Sequence, residues 1–282
     1  MSSRFLLCTD LDRTLLPNGA APESPQARRL FSSLTERPDC TLAYVTGRHK
    51  VLVQEAIAEF DIPVPDYLIG DVGTTIYRID AGGWHEWPQW AAEIGPDWAG
   101  CEHADLYRLF VDLSELTLQE STKQNRFKLS YYLPLAVDLE ALLAEMRKRL
   151  AHHSIDAALV YSVDEAAHVG LLDVLPACAT KYHAVEFLMR QLGFDSTCTV
   201  FAGDSGNDLP VLTSSIPSVL VANADESVRA QALQMARDQH TEAALYCALG
   251  GFLGMNGNYS AGILEGVAHY LPNLIEGMDC NV

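Results

Sequence analysis

The stretch Phe5-Leu6-Leu7-Cys8-Thr9-Asp10-Leu11-Asp12-Arg13-Thr14 runs apolar and then stops on two carboxylates one residue apart. The apolar part predicts a short buried strand over Arg4 to Thr9. A strand that ends in concentrated negative charge calls for a cation, or for chemistry that uses a carboxylate as nucleophile. Beyond the turn residues Pro17, Asn18, Gly19 and Pro22, Ser24 is placed as an N-cap with Pro25 at the first helical position, and a helix continues through Leu30 and Leu34. Thr41-Leu42-Ala43-Tyr44-Val45 is the second strand, halting at Thr46-Gly47-Arg48 before a helix through Val53, Ile57 and Phe60. Strand, helix, strand, helix specifies an α/β fold with a parallel, Rossmann-like sheet.

Tyr67 to Ile69 and Thr74 to Tyr77, separated by Asp71-Val72-Gly73, extend that sheet or form a hairpin at its margin. From about Ala81 the texture changes, with Trp84, Trp87, Trp90 and Trp98 crowded among glycines. An inserted α+β subdomain is expected over 82–174, with a helix from Cys101 to Phe110, a strand from Phe127 to Leu133, a helix from Asp138 to His152, and strands from Ala157 to Ser162 and Val169 to Val174. The parallel pattern resumes with a helix from Lys181 to Gln191 and a strand Thr199 to Ala202 that runs into Gly203-Asp204-Ser205-Gly206-Asn207-Asp208. A strand from Ser218 to Val221 and a helix from Ala261 to His269 follow. The core is therefore 1–81 together with 175–282.

A length of 282 residues allows one large domain or two of medium size, and a formal net charge of −18 argues against broad binding to nucleic acid or anionic membrane. An anionic substrate then needs a local basic pocket or a metal. The seven cysteines include no close CxxC pair, which fits reduced thiols better than disulfides or a zinc site. Asp10 and Asp12 interrupt the first apolar segment before it reaches the length of a signal sequence, and no apolar run spans a bilayer. The expectation is a soluble cytoplasmic protein.

Ligands of open α/β sheets sit beyond the carboxyl ends of the strands. Asp10, Asp12, Thr46, Asp204 and Asp208 all follow strand ends, so one crevice can collect them, and oxygen-rich ligation of this kind suits Mg²⁺ shared with a phosphate. In such a crevice Thr46 and Gly47 can bind phosphoryl oxygens and Lys181 can neutralise developing charge. Asp10 can act as nucleophile and Asp12 as general acid and then base.

Taken together, Asp10-x-Asp12-x-Thr14, Thr46, Lys181 and Gly203 to Asp208 resemble the four ordered motifs of the haloacid dehalogenase (HAD) superfamily of phosphatases. The insertion resembles that family's C2-type cap. A narrower similarity, to sucrose-phosphate phosphatases, rests on Ala43 to Arg48, Asn125 to Tyr131, Asp173-Val174-Leu175-Pro176 and Ala261 to Gly266. The resemblance implies hydrolysis of a sugar phosphate, sucrose 6-phosphate foremost, with Mg²⁺ on the Asp10 carboxylate, the Asp12 main-chain carbonyl and Asp204. It also implies that Gly47, Arg48, Lys128 and Asn207 contact substrate, and that Asp208 serves the metal site or orients Lys181. Alternatives are a mannosylfructose-phosphate or broad hexose-phosphate phosphatase, a phosphomutase, and a non-catalytic partner of a sucrose-phosphate synthase. A monomer or weak oligomer is expected.

Arg13 departs from the asparagine common in this family, and Ala244 to Asn258 matches nothing in it. Plainer readings also apply: Thr46 as the N-cap of the following helix, Lys128 as a snorkelling strand-edge lysine, the tryptophans as cap core or interface, and His183, His240 and His269 as structural.

Overall fold

The computed structural model describes residues 4–164 and 167–275. Along the chain, β1 (Phe5–Thr9), α1 (Ala27–Thr35), β2 (Cys40–Val45), α2 (Lys50–Phe60), β3 (Tyr67–Gly70), β4 (Thr75–Asp80) and β5 (Gly83–Glu86) come first. Then follow α3 (Pro88–Ile94), α4 (His103–Phe110), β6 (Thr117–Leu118), β7 (Leu129–Leu133), α5 (Leu139–His152), β8 (Ala157–Asp164) and β9 (Val169–Pro176). The last part contains α6 (Lys181–Leu192), β10 (Thr199–Gly203), α7 (Leu209–Leu212), β11 (Ser218–Leu220), α8 (Glu226–Gln239), β12 (Leu245–Cys247) and α9 (Ser260–Tyr270). Two compact units result: Met1–Glu86 with Lys181–Val282, and Trp87–Thr180.

The first unit is built on an eight-stranded sheet in the order β12-β11-β10-β1-β2-β3-β4-β5. It is parallel from β12 to β3, and β4 and β5 are antiparallel. Every residue of β1 is buried, as a central parallel strand covered on both faces requires. Leu7 pairs in register with Leu42 on one side and Val200 on the other, and these three belong to the core shared with Phe31 of α1 and Ile263, Leu264 and Val267 of α9. Leu6, Cys8, Ala43 and Phe201 alternate with them on the opposite face and are also fully buried. Each such large apolar side chain contributes about 1.5–3 kcal/mol through burial. The sequence branches at β1, with β2 and β3 to one side and β10 to β12 to the other, which is where an open α/β sheet forms its ligand crevice.

The expected boundary of 82–174 differs from the division at Trp87 and Thr180 because β5 pairs antiparallel with β4, drawing Gly83 to Glu86 into the first sheet. Trp84 accordingly packs against the first unit's core. The α1 helix starts at Ala27 with Gln26 as its N-cap; Ser24 does not cap it, because the Ser24 hydroxyl accepts the Asn256 N–H at 3.0 Å.

The second unit is a four-stranded antiparallel sheet, β6-β7-β9-β8, with its helices. Trp90 and Trp98 are buried there, Trp98 edge-on to Phe127 with centroids 5.6 Å apart. Helix α5 starts where Asp138 accepts the Ala141 N–H at 3.1 Å, and α4 starts with a reciprocal capping box between Glu102 and Asp105. Among the described residues none of the six cysteines forms a disulfide and no helix is long and apolar enough to cross a membrane; Cys280 lies outside those residues.

Candidate active site

Three of the expected groups reach one point through the strand order alone. Asp10 follows β1, Thr46 follows β2, Asp204 follows β10, and β1 lies between β2 and β10. Lys181 opens α6 and enters from the helix layer. The resulting cavity, about 320 Å³, is lined by Asp10, Asp12, Arg13, Thr46, Gly47, Arg48, Asp204, Ser205 and Asn207, among others. That volume is at the lower end of small-molecule sites, which run from about 300 to 1,000 Å³.

Lys181 is the hub. Its ammonium is buried and donates to Asp10 Oδ1 at 3.0 Å, Asn207 Oδ1 at 3.0 Å and Asp208 Oδ1 at 2.7 Å. Three acceptors use the three protons of an ammonium. Burial works against its charge, but Asp10 and Asp208 prevail and raise its pKa. Burial is also the main influence on Asp10, raising its carboxyl while Lys181 pulls the other way.

The loop after β10 is shaped by Asp208. Its Oδ2 accepts the Asp204 N–H, the Ser205 N–H and the Ser205 hydroxyl, each at 3.1 Å. Gly203 is required here, since a Cβ at that position would sit 2.7 Å from the Asp208 side chain. Asp208, a metal candidate from the sequence, thus spends both carboxylate oxygens on Lys181 and on its own loop.

Carboxylate oxygens of Asp10, Asp204 and Asp208 lie within 4.8 Å of one another. Asp204 Oδ1 accepts the Thr14 hydroxyl at 3.1 Å, whereas its Oδ2 is buried without a hydrogen-bond partner among the described residues. Burial, followed by Asp208, pushes the Asp204 carboxyl up to about 6, with Arg13 and Thr14 opposing. A buried carboxylate oxygen lacking a donor, beside a second carboxylate, is what a hard divalent cation satisfies. The donor set therefore fits Mg²⁺.

Asp12 faces the cavity from its rim. Arg48 grips it with two bonds, Nε to Oδ2 at 2.8 Å and NH2 to Oδ1 at 2.6 Å, and Asn18 Nδ2 adds a third to Oδ1 at 2.6 Å. Burial alone would raise the Asp12 carboxyl, but Arg48 and Asn18 outweigh it and hold the pKa below the usual value. Arg48, read from the sequence as a substrate contact, is here the fork that orients Asp12. Thr46 is buried, and its hydroxyl accepts the Arg48 N–H at 3.2 Å; the N-cap of α2 is His49, so Thr46 is not the cap. The loop is backed by Val72, whose N–H donates to the Thr46 carbonyl from a left-handed backbone with φ of 62°, an uncommon state for a β-branched residue.

Lys128 belongs to the other unit, where its Nζ lies 4.0 Å from Asp173, itself the acceptor of the Ser130 hydroxyl. Thr14 closes the first motif read from the sequence, whereas Asn18, Asn223 and Asp225 are parts of the first unit's site to which the sequence assigned no role there. Asn223 donates to the Arg13 carbonyl at 2.6 Å and Asp225 faces the Arg13 guanidinium. No spacing announces Asn223 and Asp225, because Arg13, which both of them contact, lies more than two hundred positions away.

The family profile described as sucrose-6F-phosphate phosphohydrolase matches residues 3–271. A protein of Nitrosococcus oceani named as a HAD-like hydrolase is 54% identical over 96% of this chain and 73% of its own length. Sucrose-phosphatase 1 of Nicotiana tabacum is 29% identical over 95% of this chain, which spans only 60% of that enzyme. Mannosylfructose-phosphate phosphatase of Agrobacterium fabrum is also 29% identical, over 94% of this chain and 96% of its own. Among solved structures, the sucrose-phosphatase of Synechocystis in complex with sucrose and phosphate shares the fold, with a TM-score of 0.69 at 24% identity over 95% of this chain and 98% of that one. With the profile covering nearly its whole length, the chain belongs to the sucrose-6F-phosphate phosphohydrolase family of HAD-type phosphatases.

Proposed function

We propose that this phosphatase hydrolyses a sugar phosphate, sucrose 6-phosphate foremost, in a Mg²⁺-dependent reaction through a phosphorylated Asp10. The observation that carries the reading is the buried Lys181, which donates to Asp10 and Asp208 next to a buried Asp204 oxygen that accepts no hydrogen bond among the described residues. An Asp10 carboxylate oxygen attacks phosphorus and the bond to the sugar oxygen breaks, with Asp12, which takes up a proton as Arg48 leaves it for the ester, passing that proton to the leaving oxygen. Asp12, now a carboxylate, takes a proton from water as that water attacks the phosphorylated Asp10, releasing inorganic phosphate and restoring both residues. The Thr46 hydroxyl, the Gly47 N–H, Asn207 and Lys181 hold phosphoryl oxygens and offset their charge. Arg48 serves twice, orienting Asp12 before substrate arrives and contacting the ester afterwards. Lys128 is assigned to the sugar.

The cation would be held by the Asp10 carboxylate, the Asp12 main-chain carbonyl and Asp204, with Asp208 fixing the loop and Lys181. When bound it neutralises charge on nucleophile and phosphoryl group so that the two anions can approach. The equal identity to a sucrose-phosphatase and to a mannosylfructose-phosphate phosphatase favours the latter's ester as the second reading.

Phosphate release from sucrose 6-phosphate, mannosylfructose phosphate, glucose 6-phosphate and fructose 6-phosphate, with Mg²⁺ and with chelator, tests this. The expected result is Mg²⁺-dependent release, fastest from sucrose 6-phosphate and abolished by Asp10→Asn. Preference for the hexose phosphates defeats the disaccharide assignment, and substantial turnover by Asp10→Asn defeats the nucleophile assignment.

A further inference from the structure

Arg13 occupies an expensive position. Its backbone is left-handed, with φ of 60°, a conformation in which short polar residues and glycine sit at less cost than arginine does. Two bonds fix that backbone: the Arg13 N–H donates to Asn18 Oδ1 at 2.8 Å, and its carbonyl accepts Asn223 Nδ2 at 2.6 Å. Asn223 is itself fixed by the Tyr259 N–H at 2.8 Å. The guanidinium therefore emerges in a set direction and lies between two carboxylates, Nε 3.4 Å from Asp204 Oδ2 and NH2 3.2 Å from Asp225 Oδ1. Asp204 Oδ2 is the same buried oxygen that lacks a hydrogen-bond partner. Asp225 opens α8 but makes no side-chain capping bond, so its carboxylate is available to the arginine.

We propose that Arg13 is a resident counter-cation that competes with the divalent metal for Asp204, and that Asp225 is the anchor toward which it withdraws when the metal binds. The inference rests on the Mg²⁺ reading above. At 3.4 Å the guanidinium is close enough to offset Asp204's charge, but it does not complete a hydrogen bond there, so it is poised to yield. Its side chain is 42% exposed and that of Asp225 63%, leaving room for the movement. A divalent ion held by Asp204 would meet the charge of a guanidinium that lies 3.4 Å from Asp204 Oδ2, and repulsion screened almost as in water weakens metal binding by roughly five- to thirty-fold. Arg13 thus sets the metal affinity low and keeps the acidic pocket neutralised between metal-binding events. Asp225 works in the opposite direction by holding the cation off.

Calorimetric titration of MgCl₂ into the chelator-treated protein tests the proposal without recourse to turnover. Arg13→Asn, whose side chain suits the left-handed backbone, is expected to tighten the Mg²⁺ Kd by about five- to thirty-fold. Arg13→Lys, which keeps the charge, stays within about three-fold of wild type, and Asp225→Asn weakens binding by a few-fold because the arginine then rests on Asp204 alone. Arg13→Gln replaces Arg13→Asn should the latter fail to fold. In steady state the same variants move the Mg²⁺ activation constant in the same order. Unchanged or weaker Mg²⁺ binding by Arg13→Asn, or a change of equal size in Arg13→Lys, overturns the proposal, as such results leave Arg13 a purely structural residue. Wild-type affinity in Asp225→Asn overturns the anchor assignment. Absence of any Mg²⁺ binding by the wild type overturns the metal reading, and the proposal with it.

Discussion

Lys181→Met separates the electrostatics of the site from its chemistry. Lys181, Asp10 and Asp208 are 3%, 5% and 0% exposed, so solvent screens their interactions little. Methionine fills similar volume but leaves two buried carboxylates without their shared partner. Their oxygens approach within 4.8 Å, a separation at which two unit charges repel by about 3.5 kcal/mol at an effective dielectric of about 20. Breaking a buried ion pair by deleting one member costs about 3–5 kcal/mol, in agreement. Against a typical total stability of about 5–15 kcal/mol, the variant folds but is visibly weakened.

The pH dependence of that deficit identifies its cause. Burial raises Asp10's pKa, and loss of Lys181 removes the opposing pull, so in the variant the folded value lies above the unfolded one. A carboxyl of this kind favours the fold below its unfolded pKa, and that contribution is lost as pH rises through the folded value. Burial already holds the wild-type Asp10 at about 8, so the deficit relative to wild type is smallest below about pH 7 and grows as pH rises through about 8 toward about pH 9. Urea unfolding in chelator across that range measures it, with the m-value expected to stay constant. Wild-type stability in the variant at about pH 9, or a deficit that widens as pH falls, would refute the reasoning.

Two other predictions concern the scaffold. Gly266→Ala would bring a Cβ to 2.5 Å from Val219 Cβ where α9 lies on β11, so a loss of about 1–3 kcal/mol and a lowered Tm are expected from overpacking; an unchanged Tm would show that α9 can shift freely. Glu265→Ala removes the buried acceptor of the Tyr246 hydroxyl and of the Leu249 and Gly250 N–H groups, at 2.8, 2.9 and 2.9 Å. Each orphaned group costs about 1–3 kcal/mol if it stays buried, and limited proteolysis should then cut near Leu249, whereas a wild-type digestion pattern contradicts the assignment.

What the sequence revealed follows from what each interaction depends on. Strands β1, β2 and β10 are continuous apolar runs ended by polar residues, so their period and their termini can be read locally, and the parallel order then brings Asp10, Thr46 and Asp204 together. Helix α8 went unread because it buries only Ala232 and Ala236, too small a stripe to register as a periodic face. Ala244 to Asn258, unmatched by the sequence reading although it lies inside the 3–271 span of the family profile, contains β12 and a turn held by Glu265 and by Asn256 and Asn258, whose amides both donate to the Pro22 carbonyl. The two asparagines and Pro22 are more than two hundred residues apart, as are Ser24 and Asn256, and no local pattern encodes such a contact. The grip of Arg48 on Asp12 spans 36 positions and is likewise invisible to local pattern, which is why the arginine read as a substrate contact.

The central claim is that Asp10 carries the phosphoryl group, and it is open to direct chemical capture. Enzyme turning over sucrose 6-phosphate with Mg²⁺ is quenched in acid, reduced with borohydride, digested and weighed peptide by peptide. Reduction of an acyl phosphate converts its aspartate to homoserine. The account predicts homoserine at position 10, dependent on substrate and absent from Asp10→Asn. Phosphate release with an unmodified Asp10, or with the modification on another carboxylate, would contradict it.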